Sequence, residues 1–344
     1  MTPKLIKMPS IAQFNQVIKD IQHDARYAGQ DVNDEPIYNR NAKLPTVIFF
    51  GSVKLHGTNA SICYDGENLW AQSKGSVLTI ESDNYGFASF VEMNKEYLTS
   101  ELKIMRDTFN LQKVCVYGEW AGKGIQKGVA ISEINKTFFA FGIKFLRLNS
   151  EVFEWVQKPS VVLKHFSDGN RIRSIFEFDT YYVEIDINNP KAMQNDMIKI
   201  TDGIDKMCPV ARDLGHIGHG EGVVWVGWYN DNKYNFKIKG LSHANSNVKT
   251  LKPVDEEKEN AKIAFANYAT PAWRLEQMYK ETFGEGQGDI KRTGEFLKAV
   301  VSDVMKEELL NMSEANLEPK EVNGMISKIA RTWFMEQLDR EVLG

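Results

Sequence analysis

Several things are scarce in this 344-residue chain, and each scarcity excludes a class of protein. There are only three cysteines. Cys63, Cys115 and Cys208 are odd in number and far apart in the sequence, which fits neither a disulfide framework nor a four-cysteine metal site; a reducing cytosol is the expected home. Long apolar runs are missing too. The longest, such as TVIFF at 46–50, are strand-sized, and the start MTPKLIKMPS is not followed by an apolar stretch of signal-peptide length. A soluble, untargeted, cytoplasmic chain with no membrane partner is therefore expected. An excess of positive charge is also lacking: 42 Lys and Arg stand against 46 Asp and Glu, for a net charge of −4. The summed field does not attract phosphate, so any polyanion must be met by a local basic cluster. Internal repeats and low-complexity tracts are absent.

What is present is ordinary globular composition, 42% hydrophobic and 26% charged, over a length that allows one large core and one smaller one. Between about Thr46 and Lys239, short β-branched and aromatic runs are punctuated by glycine and asparagine, the pattern of an antiparallel sheet with connecting helices. The expected strands are TVIFFGSVKL, ASICYDG, ENLWAQSK, VCVYGEW, TFFAFGIKF, YYVEIDI, GVVWVGW and YNFKIKG, with DGEN at 65–68 as a hairpin turn. Helices are expected in IAQFNQVIKDIQ and in GFASFVEMNKEYLTSELKIMRDTF. After Gly240 the chain turns polar, as in LSHANSNVKTLKPVDEEKENAK, which reads as a linker. From about Glu256 apolar residues recur at helical spacing, in TGEFLKAVVSDVMKEELL and VNGMISKIARTWFMEQLDREVL. The domains expected are 1–245 and an all-helical 250–344.

Chemistry concentrates in a few short segments. In KLHGTN at 54–59 a lysine stands at a strand edge before a glycine turn, where a side chain can be held rigidly. An amine of reference pKa about 10.4 becomes nucleophilic near neutrality only through desolvation or neighbouring cations, which Lys74, Lys237 and Lys239 can supply. On its own, Lys54 could equally be a solvated strand-end lysine. Lys237 and Lys239 flank Ile238 on one strand and so project to one face, toward a site or merely toward solvent. Glu119, near a strand end in VCVYGEW, can accept from a ribose hydroxyl or pair with Lys123 or Lys127. Glu221 is a strand-start carboxylate. His216 and His219 lie near Cys208, but one cysteine with His-x-x-His lacks a fourth zinc ligand, so they read as turn histidines.

The order of these segments resembles the covalent nucleotidyltransferases, specifically the bacteriophage RNA ligase 2 family. KLHGTN looks like motif I, GEWAGKGIQK at 118–127 like motif III, FFAFGI at 138–143 like motif IIIa, EGVVW at 221–225 like motif IV and FKIKG at 236–240 like motif V. The resemblance implies an α+β protein: an antiparallel-sheet nucleotidyltransferase domain, ATP-grasp-like, followed by a smaller all-helical domain. It implies a monomeric ATP-dependent RNA ligase joining 3′-OH and 5′-phosphate RNA ends. Lys54 would form lysyl-AMP, and Mg²⁺, with Mn²⁺ as substitute, would be held by Glu221. Lys237 and Lys239 would neutralise phosphate, Glu119 would hold the ribose, and Phe141 would stack on adenine, with Phe138 and Phe139 left to the core. Asn59 would orient phosphate oxygens, Lys74 would contact phosphate or ribose, and His56 would act in the later steps. Two features depart from the family pattern. Gly142 stands where an acidic residue is usual, and EGVVW is not followed by the usual lysine. A DNA ligase or guanylyltransferase, and a non-catalytic module binding RNA ends, are the rival readings; HGTN and the intact motif set weigh against them.

Overall fold

In the computed structural model, which describes residues 3–39, 41–156, 171–243, 251–284 and 288–343, helices combine with largely antiparallel sheet. The linker expected after Gly240 and the motif-free stretch 150–208 lie partly outside the described residues. The chain divides into two compact units, one of residues 1–21 and 46–252, the other of 22–45 and 253–344. The expected division at 245–250 did not separate residues 22–45. These carry a short hairpin, β1 (Tyr27–Gln30) with β2 (Pro36–Tyr38), whose few residues gave no periodic signal.

The first unit is built on two sheets. One has the order β11 (Thr180–Asp186), β3 (Thr46–Lys54), β12 (Gly222–Tyr229), β13 (Asn232–Lys239), all antiparallel. The other runs β10 (Ile172–Ser174), β8 (Thr137–Arg147), β7 (Leu111–Ala121), β4 (Thr58–Tyr64), β5 (Leu69–Ser73), β6 (Val77–Leu78), with β9 (Phe153–Val156) also on β8. The pairing of β10 with β8 is parallel, the exception to the expected antiparallel pattern. Asp65 and Asn68 close the expected hairpin turn, with Gly66 at φ 98°. The long helix expected across 86–109 is two, Phe87–Met93 and Lys95–Phe109. Asn94 serves as the cap of both, its amide N–H bonding back to Phe90 and its φ of −106° leaving the helical region.

Each sheet covers its outer face with helix. The helices of 87–109 bury Phe87, Phe90, Leu98 and Leu102 against Ile62, Val116, Trp120 and Phe138 of the second sheet. On the first sheet, Phe14 of the helix Phe14–Arg26 meets Phe236 at 5.2 Å, and Phe236 meets Phe49 at the same distance. Burying aromatic rings of this size contributes roughly 2 kcal/mol each. The inner faces are thereby left to meet one another.

The chain passes between the sheets at the most informative point. Lys54 ends β3 in one sheet and Thr58 begins β4 in the other, so Leu55, His56 and Gly57 make the crossing. Gly57 has no room for a side chain, since a Cβ there would lie 2.3 Å from the Trp120 carbonyl oxygen. Residues near the N-terminus make a second link. The backbone of Ile6 exchanges two hydrogen bonds with the Gln72 side chain, and the Ala12 N–H donates to the Asn235 carbonyl.

Cys63 and Cys115 correct the sequence expectation. Separated by 52 residues, they are directly opposed on β4 and β7 and joined as a disulfide, because sheet pairing brings together what the sequence holds apart. Cys208 is free and buried.

The second unit is a helical bundle of Glu256–Ala269, Ala272–Phe283, Thr293–Glu307, Leu309–Glu314 and Pro319–Leu343, together with the hairpin described above. Its core centres on Phe296, Phe334 and Tyr279, with Trp333 stacked on Phe296 at 5.9 Å. Its Arg274 is buried and paired with both Asp303 and Glu308.

Gly222 carries a testable consequence. Its φ is +147°, and a Cβ there would stand 2.1 Å from the Ile238 carbonyl oxygen. Gly222→Ala is expected to cost on the order of 3 kcal/mol. Chemical denaturation reads this directly, and an unchanged unfolding midpoint would contradict the close approach of β12 and β13.

Candidate active site

Register explains how residues distant in sequence converge. Across the first sheet Lys54, Gly222 and Lys239 are directly opposed, and Ser52, Val224 and Lys237 form the next row. Directly opposed residues of an antiparallel ladder share a face. Across the second sheet Asn59, Glu119 and Phe139 stand in one row. The two faces enclose a cavity lined by Ser52, Lys54, Val224 and Asn235 from one side and Asn59, Glu119, Phe139 and Phe141 from the other.

Glu221 lies at the head of β12 and is 2% exposed. Its Oε2 accepts from Lys54 Nζ at 2.5 Å and lies 3.3 Å from His56 Nδ1, while Lys239 Nζ is 2.7 Å from Oε1. Burial opposes charge on this carboxyl, yet the His56 hydrogen bond and the charges of Lys54 and Lys239 outweigh it and hold the group well below the usual carboxylate range. The backbone assists, since the Gly240 N–H donates to the Glu221 carbonyl and ties the end of β13 to the start of β12.

Glu119 behaves in the opposite way. Burial raises its pKa to about 7, against the pull of Lys54, the Gly57 N–H and His56, and Glu221 adds to the rise. Its Oε1 accepts from the Gly57 N–H at 3.0 Å. The alternative pairing with Lys123 or Lys127 is not what the side chain adopts. Two carboxylates in one cleft, one held ionised and one poised near neutrality, mark a site where charge is managed locally.

Lys237 has no carboxylate within ion-pair distance among the described residues. Burial lowers its pKa, and Lys54, Lys239 and Lys74 lower it further. Lys74 itself is exposed in the turn after β5 and reaches the cluster through its field rather than by contact. Asn59 donates to Met8 Sδ at 3.0 Å, and its Oδ1 is buried with no hydrogen-bond partner.

The aromatic wall depends on a β-bulge. Tyr117 pairs with Gly142 but Gly118 with Ala140, so Phe141 is the extra residue of β8. The bulge turns both Phe141 and Gly142 toward the cleft side, away from the Phe138–Ala140 core face. A Cβ on Gly142 would lie 2.7 Å from the Trp155 ring, so the position where an acidic side chain was anticipated is filled by Trp155 instead. Phe138 is core as expected, whereas Phe139 is a cavity wall.

Four contributors were not anticipated. Met8 and Ile11 reach the cavity from the N-terminal segment, which no motif marked. Asn235 continues the period-two row of Lys237 and Lys239, a signal already present in the sequence. His243, just after motif V, has its ring 6.1 Å from that of His56, a buried unpartnered Nε2 and a pKa lowered by burial. His219 binds through Nδ1 to the Asp205 carbonyl at 2.6 Å, and among the described residues no cluster of three His, Cys, Asp or Glu side chains could hold a metal.

Residues 48–226, over half of the chain, match the RNA ligase family model, and the chain belongs to the RNA ligase family. Comparison with curated proteins gave no match. Among solved structures it is similar to an RNA ligase of Naegleria gruberi, in a lysine variant with ATP and Mn, at 14% identity and TM-score 0.45, covering 70% of this chain and 58% of that one. The same ligase with AMP and Mn, in a glutamate variant, gives 14% and 0.45, and with PPi 13% and 0.42, at the same coverage. The chain thus spans less than two thirds of the length of these proteins. No helix among the described residues is long and apolar enough to cross a membrane.

The raised pKa of Glu119 has a defined thermodynamic sign. A carboxyl that titrates at 4.5 unfolded and about 7 folded binds its proton more tightly in the native state. Its favourable contribution is therefore complete below about pH 4.5 and is lost as pH rises through about 7. Glu119→Gln removes this dependence. Relative to the wild type, the variant is expected to gain on the order of 3 kcal/mol between pH 4.5 and 8, read from paired denaturation curves. A stability gap that stays constant with pH would rule out the shift.

Proposed function

We propose that this chain is an ATP-dependent RNA ligase of the RNA ligase 2 type, in which Lys54 is the nucleophile that takes AMP. The observation that carries the reading is Lys54 at 2.5 Å from buried Glu221, on the wall of a cavity with Phe141 on the opposite side and Lys237 and Lys239 on β13, one strand beyond β12 in the same sheet. The Naegleria ligases crystallised with ATP or AMP and Mn agree with the donor, and membership of the RNA ligase family with the acceptor.

Lys54 Nζ attacks the α-phosphate of ATP, forming an N–P bond as the bond to pyrophosphate breaks and a proton leaves the amine. Glu221 aims Lys54 into the cavity, with Lys237 and Lys239 on the same sheet face. Lys237, with no carboxylate partner, offers its charge to the α-phosphate. Glu119 accepts from a ribose hydroxyl and Phe141 lies against the base. The AMP then passes to the 5′-phosphate of an RNA end, which gains a leaving group, and a 3′-hydroxyl displaces it. His56 serves these later steps, with Lys74 and Asn59 contacting phosphate or ribose oxygens.

The described residues hold no cluster of three His, Cys, Asp or Glu side chains for a metal, so a divalent ion would take carboxylate oxygens of Glu221, with Glu119 nearby, together with phosphate oxygens of the nucleotide. Bound Mg²⁺ or Mn²⁺ would neutralise charge developing on the phosphate oxygens. The helical unit, residues 22–45 and 253–344, is assigned to the RNA substrate. Lys291, Arg292, Lys328 and Arg331 are its candidate phosphate contacts.

The test is incubation with ATP labelled at the α-phosphate and a divalent ion, followed by denaturing electrophoresis. Wild type is expected to retain label and Lys54→Ala none, with Glu221→Ala and Lys239→Ala reduced at least about tenfold. Absence of label on a protein shown by mass to be free of AMP would sink the reading.

A further inference from the structure

The cavity contains a polar side chain that the mechanism above leaves unused. Asn235 is 8% exposed and lines the cavity. Its backbone is committed, since its carbonyl accepts from Ala12. A carboxamide on the wall of an enclosed cavity is placed to meet a polar group of whatever binds there. The candidate partner follows from where Asn235 stands.

Asn235, Lys237 and Lys239 are successive residues on one face of β13. Lys239 and Lys237 belong to the charge cluster around Glu221, and Asn235 is the next position away from it. The opposite wall carries the rings of Phe139 and Phe141, and Ile11, Ile175 and Val224 complete an aliphatic lining. Cations at one end, flat apolar walls along the side and a carboxamide beyond them match a nucleotide laid out from phosphate to base.

We infer that Asn235 reads the hydrogen-bonding edge of the nucleobase and selects adenine as the donor base. This rests on the nucleotide-transfer reading of the site. A carboxamide presents an acceptor beside a donor, which pairs with the 6-amino group of adenine and its adjacent ring nitrogen. The aliphatic lining offers no acceptor for the 2-amino group of guanine, whose burial without a partner is disfavoured.

The experiment measures equilibrium binding of ATP and GTP, and labelling by each, for wild type, Asn235→Ala and Asn235→Asp. Asn235→Ala is expected to weaken ATP binding by about 10- to 100-fold, raising KM for labelling while leaving the rate at saturating ATP nearly unchanged. In Asn235→Asp the carboxylate accepts from N1–H and the 2-amino group of guanine but cannot donate to adenine. The ratio of ATP to GTP binding should move at least about tenfold toward GTP, a gain that a misfolded variant cannot produce. Wild-type ATP affinity and an unchanged base ratio in both variants overturn the inference. If wild type binds ATP selectively yet takes no label, the transfer reading falls and the base subsite stands; if it binds neither nucleotide, both fall.

Discussion

The site depends on one buried carboxylate. Glu221 brings a negative charge to a position with almost no solvent, which is tolerable only with cations at hydrogen-bonding distance. Lys54 and Lys239 supply them on either side and His56 adds a third contact. Those three residues come from the end of β3, the end of β13 and the crossing between the sheets. The need to compensate Glu221 therefore fixes where three separate parts of the chain meet. Removal of the carboxylate would leave the lysines repelling one another, and the rotamer that aims Lys54 into the cavity would lose its restraint.

The crossing at 55–57 is what makes a cleft from two sheets. A chain that continued β3 into a hairpin would keep Lys54 and Asn59 in a single sheet. By passing to the other, it sets Lys54 opposite the Asn59, Glu119 and Phe139 row with only four residues between Lys54 and Asn59. Gly57 permits this because its missing side chain is replaced by the Trp120 carbonyl. It also donates its N–H to Glu119, so the residue that turns the chain also orients the second carboxylate.

Much of this was legible in the sequence. Strand periodicity located the four strands of the first sheet and β4, β5, β7 and β8 of the second to within a few residues but not β6, β9 and β10, and the spacing of Lys237 and Lys239 about Ile238 placed both on one face. The motif order gathered Lys54, Glu119, Glu221 and Phe141 before any geometry was known. What remained hidden was relational. Nothing local tells that β3 and β4 lie in different sheets, that Cys63 faces Cys115, or that a bulge at Phe141 turns Gly142 under Trp155. Met8 reaches Asn59 only because Ile6 is fastened to Gln72, a contact between residues 66 positions apart. The hairpin at 27–38 was missed because strands of three and four residues carry no usable period.

The chain is acidic overall, and the site reconciles this with the polyanionic substrate proposed for it. Lys54, Lys74, Lys237 and Lys239 share one field, as the lowered pKa of Lys237 records. Only Glu221 among the neighbouring carboxylates is firmly ionised, because burial pushes Glu119 toward its neutral form. The cavity is thus locally positive within a molecule of net charge −4. Attraction of phosphate then operates at the distance of direct contact rather than across the surface, and it is shielded from salt by burial. Under the proposed function, such an arrangement favours capture of a nucleotide in a defined pose over loose adhesion to nucleic acid, and grip on an RNA substrate would come from elsewhere in the chain.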